Sequence, residues 1–154
     1  MKVLMTGGAG AVGVSWVSDL LAHGHEILVY DNLSTGDRKK LPFEAKFVLG
    51  DVRDGSLLTR ALKDYRPEIL IHFAQVSAEQ NHSRMSLLDH NISGLVQVLK
   101  AFQDSECQLA WVRPLEGDSS LLELQKSLIA YAGGGTAKRI QILPVDGPRP
   151  EMGL

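Results

Sequence analysis

A glycine-rich turn between a short apolar segment and an amphipathic helix limits the folds open to this chain. Residues 2–6 (KVLMT) read as a buried strand, and residues 12–22 repeat apolar side chains at helical spacing. Between them, Gly7, Gly10 and Gly13 recur at three-residue spacing, and Gly8, Gly10 and Gly13 also satisfy G-x-G-x-x-G. Glycine lets the backbone approach a pyrophosphate closely, and the following helix N-terminus offers free N–H groups to it. The turn therefore predicts a dinucleotide site.

Segments of strand length recur along the rest of the chain, most of them separated by helical segments. The pattern predicts strands over residues 2–6, 25–30, 45–49, 68–73, 108–112 and 139–143, and helices over residues 12–22, 55–65, 84–102 and 119–131. Strands joined through helices run parallel by right-handed crossovers. We therefore predict a doubly wound parallel α/β sheet, the Rossmann architecture, in one domain over residues 1–154 with an irregular tail over 144–154.

Composition and charge narrow the function classes. The chain has 154 residues, of which 44% are hydrophobic and 22% are charged, which suits one globular domain. A net charge of −2 gives no broad attraction to nucleic acid or an anionic membrane, so we expect neither partner. The apolar run after Lys2 is too short for a signal peptide, and no run approaches about 18 apolar residues. We expect a cytoplasmic protein whose single cysteine, Cys107, packs as a small apolar side chain.

A carboxylate, Asp31, follows the second predicted strand about 20 residues after the glycine turn, where the dinucleotide fingerprint places an acid on the adenosine ribose. Because a carboxylate there repels a 2′-phosphate, it favours NAD(H) over NADP(H). Two alternatives remain: Asp31 as a turn-forming residue, and Arg38, Lys39 and Lys40 as phosphate contacts rather than a solvated face. We assign Asp31 to the ribose and the three basic residues to solvent.

Five ordered segments resemble the extended short-chain dehydrogenase/reductases, and within them the NAD-dependent sugar epimerase/dehydratase group. They are residues 6–13 (TGGAGAVG), 31–36 (DNLSTG), 50–54 (GDVRD), 71–74 (IHFA) and 91–94 (NISG). The resemblance is strong to about residue 102 and thin beyond it, and Ala11 stands where that family usually has an aromatic residue. It implies contacts to the pyrophosphate, ribose, adenine and nicotinamide half, or support beneath them, from Gly7, Gly10, Ala11, Val12, Gly13, Asp31, Asn32, Ser34, Thr35, Gly36, Asp51, Val52, Phe73, Ala74, Gln75 and Asn91.

The acid–base residues that the resemblance implies are missing. In that family a tyrosine and a lysine four residues later share one helix face, so that the ammonium lowers the pKa of the phenol. A serine or threonine at the end of the neighbouring strand completes the set, and this chain reads AWVRP there, over residues 110–114. None of the three tyrosines of this chain has lysine at that spacing. The best register is residues 120–126 (SLLELQK), with Leu122 in the place of tyrosine. We predict no catalytic residue and keep Lys126 as a candidate ribose contact, its alternative being an ordinary surface lysine.

The resulting hypothesis is an NAD(H)-binding Rossmann protein without autonomous catalysis, acting as a binding, regulatory or partner subunit. The alternative is an active NAD-dependent epimerase or oxidoreductase on a nucleotide sugar, using atypical residues (Lys126 with Tyr131 or His82) or a partner chain. A third is a structural interaction protein with an empty cleft. The family's use of helices 84–102 and 122–131 in dimers makes a homodimer a further hypothesis. We expect no C-terminal substrate domain, and no metal, because His82 and His90 lack a third ligand.

Overall fold

Six short strands form one parallel sheet in the computed structural model, which describes residues 1–80 and 82–144. The strands are β1 (Lys2–Thr6), β2 (Glu26–Asp31), β3 (Lys46–Leu49), β4 (Ile69–His72), β5 (Leu109–Val112) and β6 (Arg139–Ile142). The main helices are α1 (Ala11–Ala22), α2 (Gly55–Tyr65), α3 (Arg84–Leu88), α4 (Gly94–Gln103) and α5 (Ser119–Gly133). The order across the sheet is β3-β2-β1-β4-β5-β6, with every neighbouring pair parallel. This confirms the predicted doubly wound α/β fold.

The central strands are apolar along both faces because helices cover the sheet on each side. Leu4 and Leu70 point into one apolar cluster with Leu58 of α2 and Phe102 of α4. Neighbouring residues of the same strands point the other way, into a second cluster that contains Val17 of α1. Successive side chains of a strand alternate between faces, so a continuous apolar run fills both layers. The two clusters hold the carboxyl ends of β1 and β4 side by side.

The helix predicted over residues 84–102 is interrupted by a turn of π-helix. After α3, residues Asp89–Ser93 form that turn, and α4 continues from Gly94. A π-turn adds one residue to a helical turn without ending the helix, so a periodicity argument does not detect it. The bounds of β1 and α2 are as predicted, and those of the other elements differ from the prediction by at most two residues. Two 3₁₀ turns, at Arg38–Lys40 and Ala78–Gln80, lie within the connecting loops.

Lys138, just before the last strand, is tied to the carbonyl end of α4. Its ammonium donates to the carbonyls of Phe102 at 2.7 Å and Gln103 at 2.9 Å, and also to that of Ser105. These carbonyls end α4, where the helix itself supplies no donors and a cation is favoured. Cys107, at the start of the neighbouring strand, is buried as expected. The predicted tail after Pro144 lies outside the described residues, and no helix within 1–80 and 82–144 is long and apolar enough to cross a membrane.

Candidate dinucleotide-binding site

A cleft of about 360 Å³ opens at the carboxyl ends of the strands. It lies where the strand order reverses, between β1 and β4, which is the position at which doubly wound sheets bind ligands. All predicted site residues except Gly36, Asn91 and Lys126 line it. It is also lined by residues that the sequence analysis did not select, namely Tyr30, Gly50, Val76, Ser77, Glu79, Gln80, His90, Arg113 and Glu116.

The glycine turn leaves the first amides of α1 facing the cleft. Gly7 has a positive φ of 71°, and a Cβ there would lie 2.5 Å from the backbone nitrogen of Ala74. A Cβ on Gly13 would lie 2.5 Å from the carbonyl oxygen of Gly7. Gly10 is the N-cap and supplies no side-chain acceptor to the first turn. The free N–H groups and the positive end of the helix dipole are therefore available to an anion such as a pyrophosphate.

Asp31 ties the glycine turn to the loop after β2. One carboxylate oxygen accepts the N–H of Ala9 at 2.9 Å, and the other accepts the N–H of Leu33 at 2.8 Å. The second contact is the turn-forming role considered as an alternative. Asp31 is only 7% exposed but lines the cleft, and a carboxylate has about four acceptor positions, of which these bonds use two. The turn-forming role and the ribose role are therefore compatible, and the ribose contact stays a prediction.

Gly36 lies behind the cleft wall rather than on it. A Cβ at this position would lie 2.8 Å from the carbonyl carbon of Ala9, so the loop after β2 packs directly against the glycine turn. The backbone N–H of Asp37 donates to the carbonyl of Ala9 at 3.0 Å. Gly36 therefore allows two cleft-forming loops to approach each other, and its contact with the ribose stays a prediction.

Asp51 is held firmly at the end of the cleft where the resemblance places the adenine. Its side chain accepts from Arg53 at 2.8 and 3.0 Å and from Asn32 at 3.1 Å. The hydrogen bonds from Arg53 hold the pKa of the Asp51 carboxyl well below its usual range, so it is ionised at neutral pH. The hydroxyl of Tyr30 donates to the Asp51 carbonyl at 2.9 Å, and burial raises the pKa of that phenol. Hydrogen bonds therefore tie this end of the cleft together, and its ionised carboxylate is paired with the Arg53 guanidinium.

The floor of the cleft continues β4 through Phe73, Ala74 and Gln75. Trp16 of α1 packs edge-on against Phe73, with ring centroids 5.1 Å apart. Asn91 lies in the π-turn, where its amide accepts from the N–H of Val76 at 2.9 Å and donates to the Val76 carbonyl at 2.8 Å. Asn91 thus supports the floor from behind instead of lining the cleft.

The end of the cleft beside β5 presents a guanidinium where the resemblance implies a serine or threonine. Arg113 follows the strand, and its guanidinium lies 3.4 Å from Glu116. The buried amide of Gln125 accepts from the N–H of Leu115 at 2.9 Å and donates to the Arg113 carbonyl at 3.0 Å. Gln75 donates to the same carbonyl at 2.6 Å. The sequence analysis overlooked Gln125, whose signal is a polar residue flanked by the apolar positions of α5.

Lys126 points away from the cleft. Its ammonium lies 2.9 Å from the Glu123 carboxylate one turn earlier on α5, and both side chains are largely exposed. This is the geometry of the surface lysine considered as an alternative, and the ribose contact of Lys126 stays a prediction.

No tyrosine of the chain lies at the carboxyl end of β5. Tyr30 is buried at the Asp51 end of the cleft. Tyr65 ends α2 beside the ammonium groups of Lys2 and Lys46, at the amino ends of the strands and away from the cleft. Tyr131 lies near the end of α5 and is 88% exposed. All three tyrosines of the sequence fall within the described residues, so no phenol faces Arg113.

Two histidine features lie near the site without forming a metal centre. His72 ends β4 in the core, where Nδ1 lies 2.7 Å from the Thr6 hydroxyl and burial lowers the pKa to about 4. The rings of His82 and His90 are 5.3 Å apart, with the Ser86 hydroxyl between them. Within the described part of the chain, no group of three or more His, Cys, Asp or Glu residues is arranged to hold a metal ion.

One known protein family matches the sequence, and the match agrees with the strand order, the glycine turn and the acid after β2. Residues 3–113 match the NAD dependent epimerase/dehydratase family. The chain belongs to this family. The match confirms the resemblance stated from the five segments, and it ends at Arg113.

Relatives within the family are named UDP-glucose 4-epimerase. The protein from Lactobacillus helveticus is 37% identical over 107 residues, which cover 68% of this chain and 32% of the relative. The protein from Klebsiella pneumoniae is 36% identical over 112 residues, covering 67% of this chain and 81% of the relative. The present chain thus spans about a third of the first relative and most of the second.

Solved structures of family members superpose on most of the chain. Thermus thermophilus UDP-glucose 4-epimerase in complex with NAD has a TM-score of 0.82 at 26% identity, covering 92% of this chain and 54% of that structure. The Bordetella bronchiseptica enzyme WbmG in complex with NAD has a TM-score of 0.69 at 32% identity, covering 74% and 37%. The chain therefore corresponds to about half the length of the first structure.

Proposed function

We propose that this chain binds NAD(H) in the cleft and does not catalyse a reaction by itself, acting as a binding, regulatory or partner subunit. One observation carries the proposal: the glycine turn and cleft are complete, whereas the end of the cleft beside β5 lacks a phenol and presents Arg113. Two structures similar to this chain are NAD complexes, which supports the choice of ligand. The relatives' reaction is not transferred, because the residues that would perform it are replaced here.

The cleft fits the parts of the cofactor in order. The amides at the start of α1 would hold the pyrophosphate, and Asp31 would accept the adenosine ribose hydroxyls. Asp51 and Val52 would flank the adenine, and Phe73 to Gln75 would carry the nicotinamide half. Bound NAD supplies a hydride acceptor at the nicotinamide ring, and this chain's residues bind and orient it. Glu116 and Glu79 also line the cleft, so its lining is not broadly cationic.

Preference for NAD(H) over NADP(H) is part of the proposal. The Asp31 carboxylate is fixed by two backbone donors and would face a 2′-phosphate with like charge. The guanidinium of Arg38 stacks over the Phe47 ring at 4.7 Å, and Arg38 does not line the cleft. Lys39 and Lys40 are exposed on the following 3₁₀ turn. These basic side chains therefore belong to the solvated face.

The argument against autonomous catalysis rests on proton transfer. A phenol with a lowered pKa exchanges a proton with a substrate, whereas Leu122 in the corresponding register has no ionisable group. Lys126 is paired with Glu123, and Tyr131 is exposed. The proposal also includes a cytoplasmic location and a homodimer formed through the helical residues 84–102 and 122–131. The exposed Leu124 and Tyr131 of α5 support the dimer as apolar surface available to a second copy.

The test is calorimetric titration of the full chain with NAD+, NADH and NADP+, using Gly10→Val to block the pyrophosphate position. A Cβ on Gly10 would meet only the Gly7 carbonyl, at an ordinary 3.4 Å, so the variant should fold while its side chain fills the space above the turn. Gly133→Val is the matched control, because a Cβ there meets nothing within 4 Å. We expect NAD+ and NADH to bind wild type and the control, and to bind Gly10→Val at least tenfold more weakly.

Two results would contradict the proposal. No binding to wild type at millimolar NAD+ or NADH would remove the binding function. Turnover of a nucleotide sugar by the isolated chain, lost in Lys126→Ala and retained in an exposed-lysine control such as Lys63→Ala, would instead establish the active-enzyme alternative.

A further inference from the structure

Arg53 joins one wall of the cleft to the π-turn between α3 and α4 through a fork of hydrogen bonds. Its Nε and Nη2 donate to the two carboxylate oxygens of Asp51 at 3.0 and 2.8 Å. Its Nη1 donates to Oδ2 of Asp89 at 2.7 Å. Asp51 lines the cleft after β3, and Asp89 is the first residue of the π-turn between α3 and α4. One guanidinium thus bridges a cleft wall and a helix that does not belong to that wall.

The π-turn connects this bridge to the cleft floor. Two residues after Asp89, the Asn91 amide makes a donor and an acceptor contact with the backbone of Val76. Val76 follows Gln75 on the floor and itself lines the cleft. At the other end of the turn, Gly94 packs on Val52, where an added Cβ would lie 3.0 Å from a Val52 methyl. The turn is therefore fixed to the wall at both ends and to the floor at its centre.

We propose that Arg53 is a positioning residue for the cofactor, coupling the Asp51 wall to the Val76 floor through Asp89 and the π-turn. The proposal depends on NAD(H) as the ligand and adds a residue that touches no part of it. Arginine suits this role because its planar fork reaches two carboxylates at once, whereas a lysine ammonium is a single point charge on a flexible stem. Breaking the bridge should loosen Asn91 and with it the floor, beyond any effect on the wall.

The expected effect is modest because the bridge is partly open to solvent. The side chains of Arg53 and Asp89 are 38% and 53% exposed, and ion pairs at such positions typically change an equilibrium by about twofold to fivefold. The informative quantity is therefore a ratio within each variant. AMP occupies only the wall and ribose end, whereas NAD+ also lies on the floor, so the NAD+/AMP affinity ratio reports the coupling.

The experiment compares wild type with Arg53→Gln, Arg53→Lys and Asp89→Asn in titrations with AMP and NAD+. Arg60→Gln and Asp64→Asn, at exposed positions of α2, are the matched controls. We expect the NAD+/AMP affinity ratio to fall by about threefold in the three bridge variants and to stay constant in the controls. Lysine keeps the positive charge but lacks the planar fork. Arg53→Lys should therefore have a higher free energy of unfolding than Arg53→Gln but the same lowered NAD+/AMP affinity ratio.

A second readout needs no cofactor. The backbone N–H of Val76 donates to Asn91, so its hydrogen exchange reports how firmly Asn91 is held. In the unliganded chain this exchange should be about threefold faster in Asp89→Asn than in wild type. An unchanged exchange rate together with an unchanged NAD+/AMP ratio would overturn the coupling. If wild type binds no NAD+, the proposed function fails while the exchange measurement still decides whether the bridge controls the floor.

Discussion

Acidification should destabilise this fold through His72. The imidazole lies at the end of β4, is 1% exposed, and touches Thr6 through Nδ1. Burial lowers its pKa from the ordinary 6.5 to about 4. Between these two values the unfolded chain binds a proton that the folded chain does not, so stability falls as the pH drops from about 6.5 to about 4. Below the folded pKa both states are protonated and the loss is complete.

The magnitude follows from the difference between the two pKa values. Each pKa unit corresponds to 1.36 kcal/mol, so the loss between neutral pH and pH 4 amounts to about 3 kcal/mol from this one group. That is a large part of the stability of a typical domain. The cost arises because a charged imidazole would stand among apolar side chains beneath the glycine turn.

The assay is urea unfolding followed by circular dichroism at intervals between pH 4.5 and 7.5, for wild type and His72→Gln. Glutamine keeps a polar partner for Thr6 but does not titrate. We expect wild type to lose about 2–3 kcal/mol of unfolding free energy relative to His72→Gln between pH 7.5 and pH 4.5. His23→Gln is the control, because the side chain of His23 is 69% exposed at the surface. A His72→Gln difference that stays constant across this range would refute the reasoning.

Two further predictions concern side chains that pair with backbone groups at the end of a helix or strand. Lys138→Met should lower the free energy of unfolding by about 1–2 kcal/mol in a urea titration, because it removes a charged donor from the carbonyls that end α4. Lys100→Met, at an exposed position of the same helix, should have little effect in the same titration. Gln125→Leu should cost about 1–3 kcal/mol, because the buried N–H of Leu115 loses its acceptor and the Arg113 carbonyl keeps only Gln75 as a donor. The same variant should weaken NADH binding in a fluorescence titration, whereas Gln108→Leu at an exposed position should change neither quantity.

The sequence was informative where the chemistry is local. The glycine turn, the start of α1 and the position of Asp31 follow from spacing within some thirty residues, and the structure places these features together as predicted. The two roles considered for Asp31 were posed as alternatives, yet the carboxylate has acceptors enough for both. Sequence spacing does not show how many lone pairs a side chain has left after its backbone contacts.

The features that the sequence analysis missed depend on contacts between distant segments. Arg113 enters the cleft because β5 lies beside β4, and the buried amide of Gln125 has a purpose only once α5 packs over the end of that strand. The π-turn changes which side of the helix faces the floor without altering the apolar pattern. Each of these requires the tertiary register, which periodicity alone does not supply.

Cofactor binding and proton transfer are physically separable in this fold. Binding depends on backbone groups and small residues at β1, β2 and β4, whose positions are set by the two core clusters. Proton transfer in the family, by the resemblance, depends on a few side chains at β5 and α5. Here Gln125 pairs with the N–H of Leu115 and with the carbonyl of Arg113, so these two backbone groups after β5 have partners without a tyrosine at that end of the cleft. A chain of this kind can therefore keep the cleft that we propose for NAD(H) without the groups that would use it in a reaction.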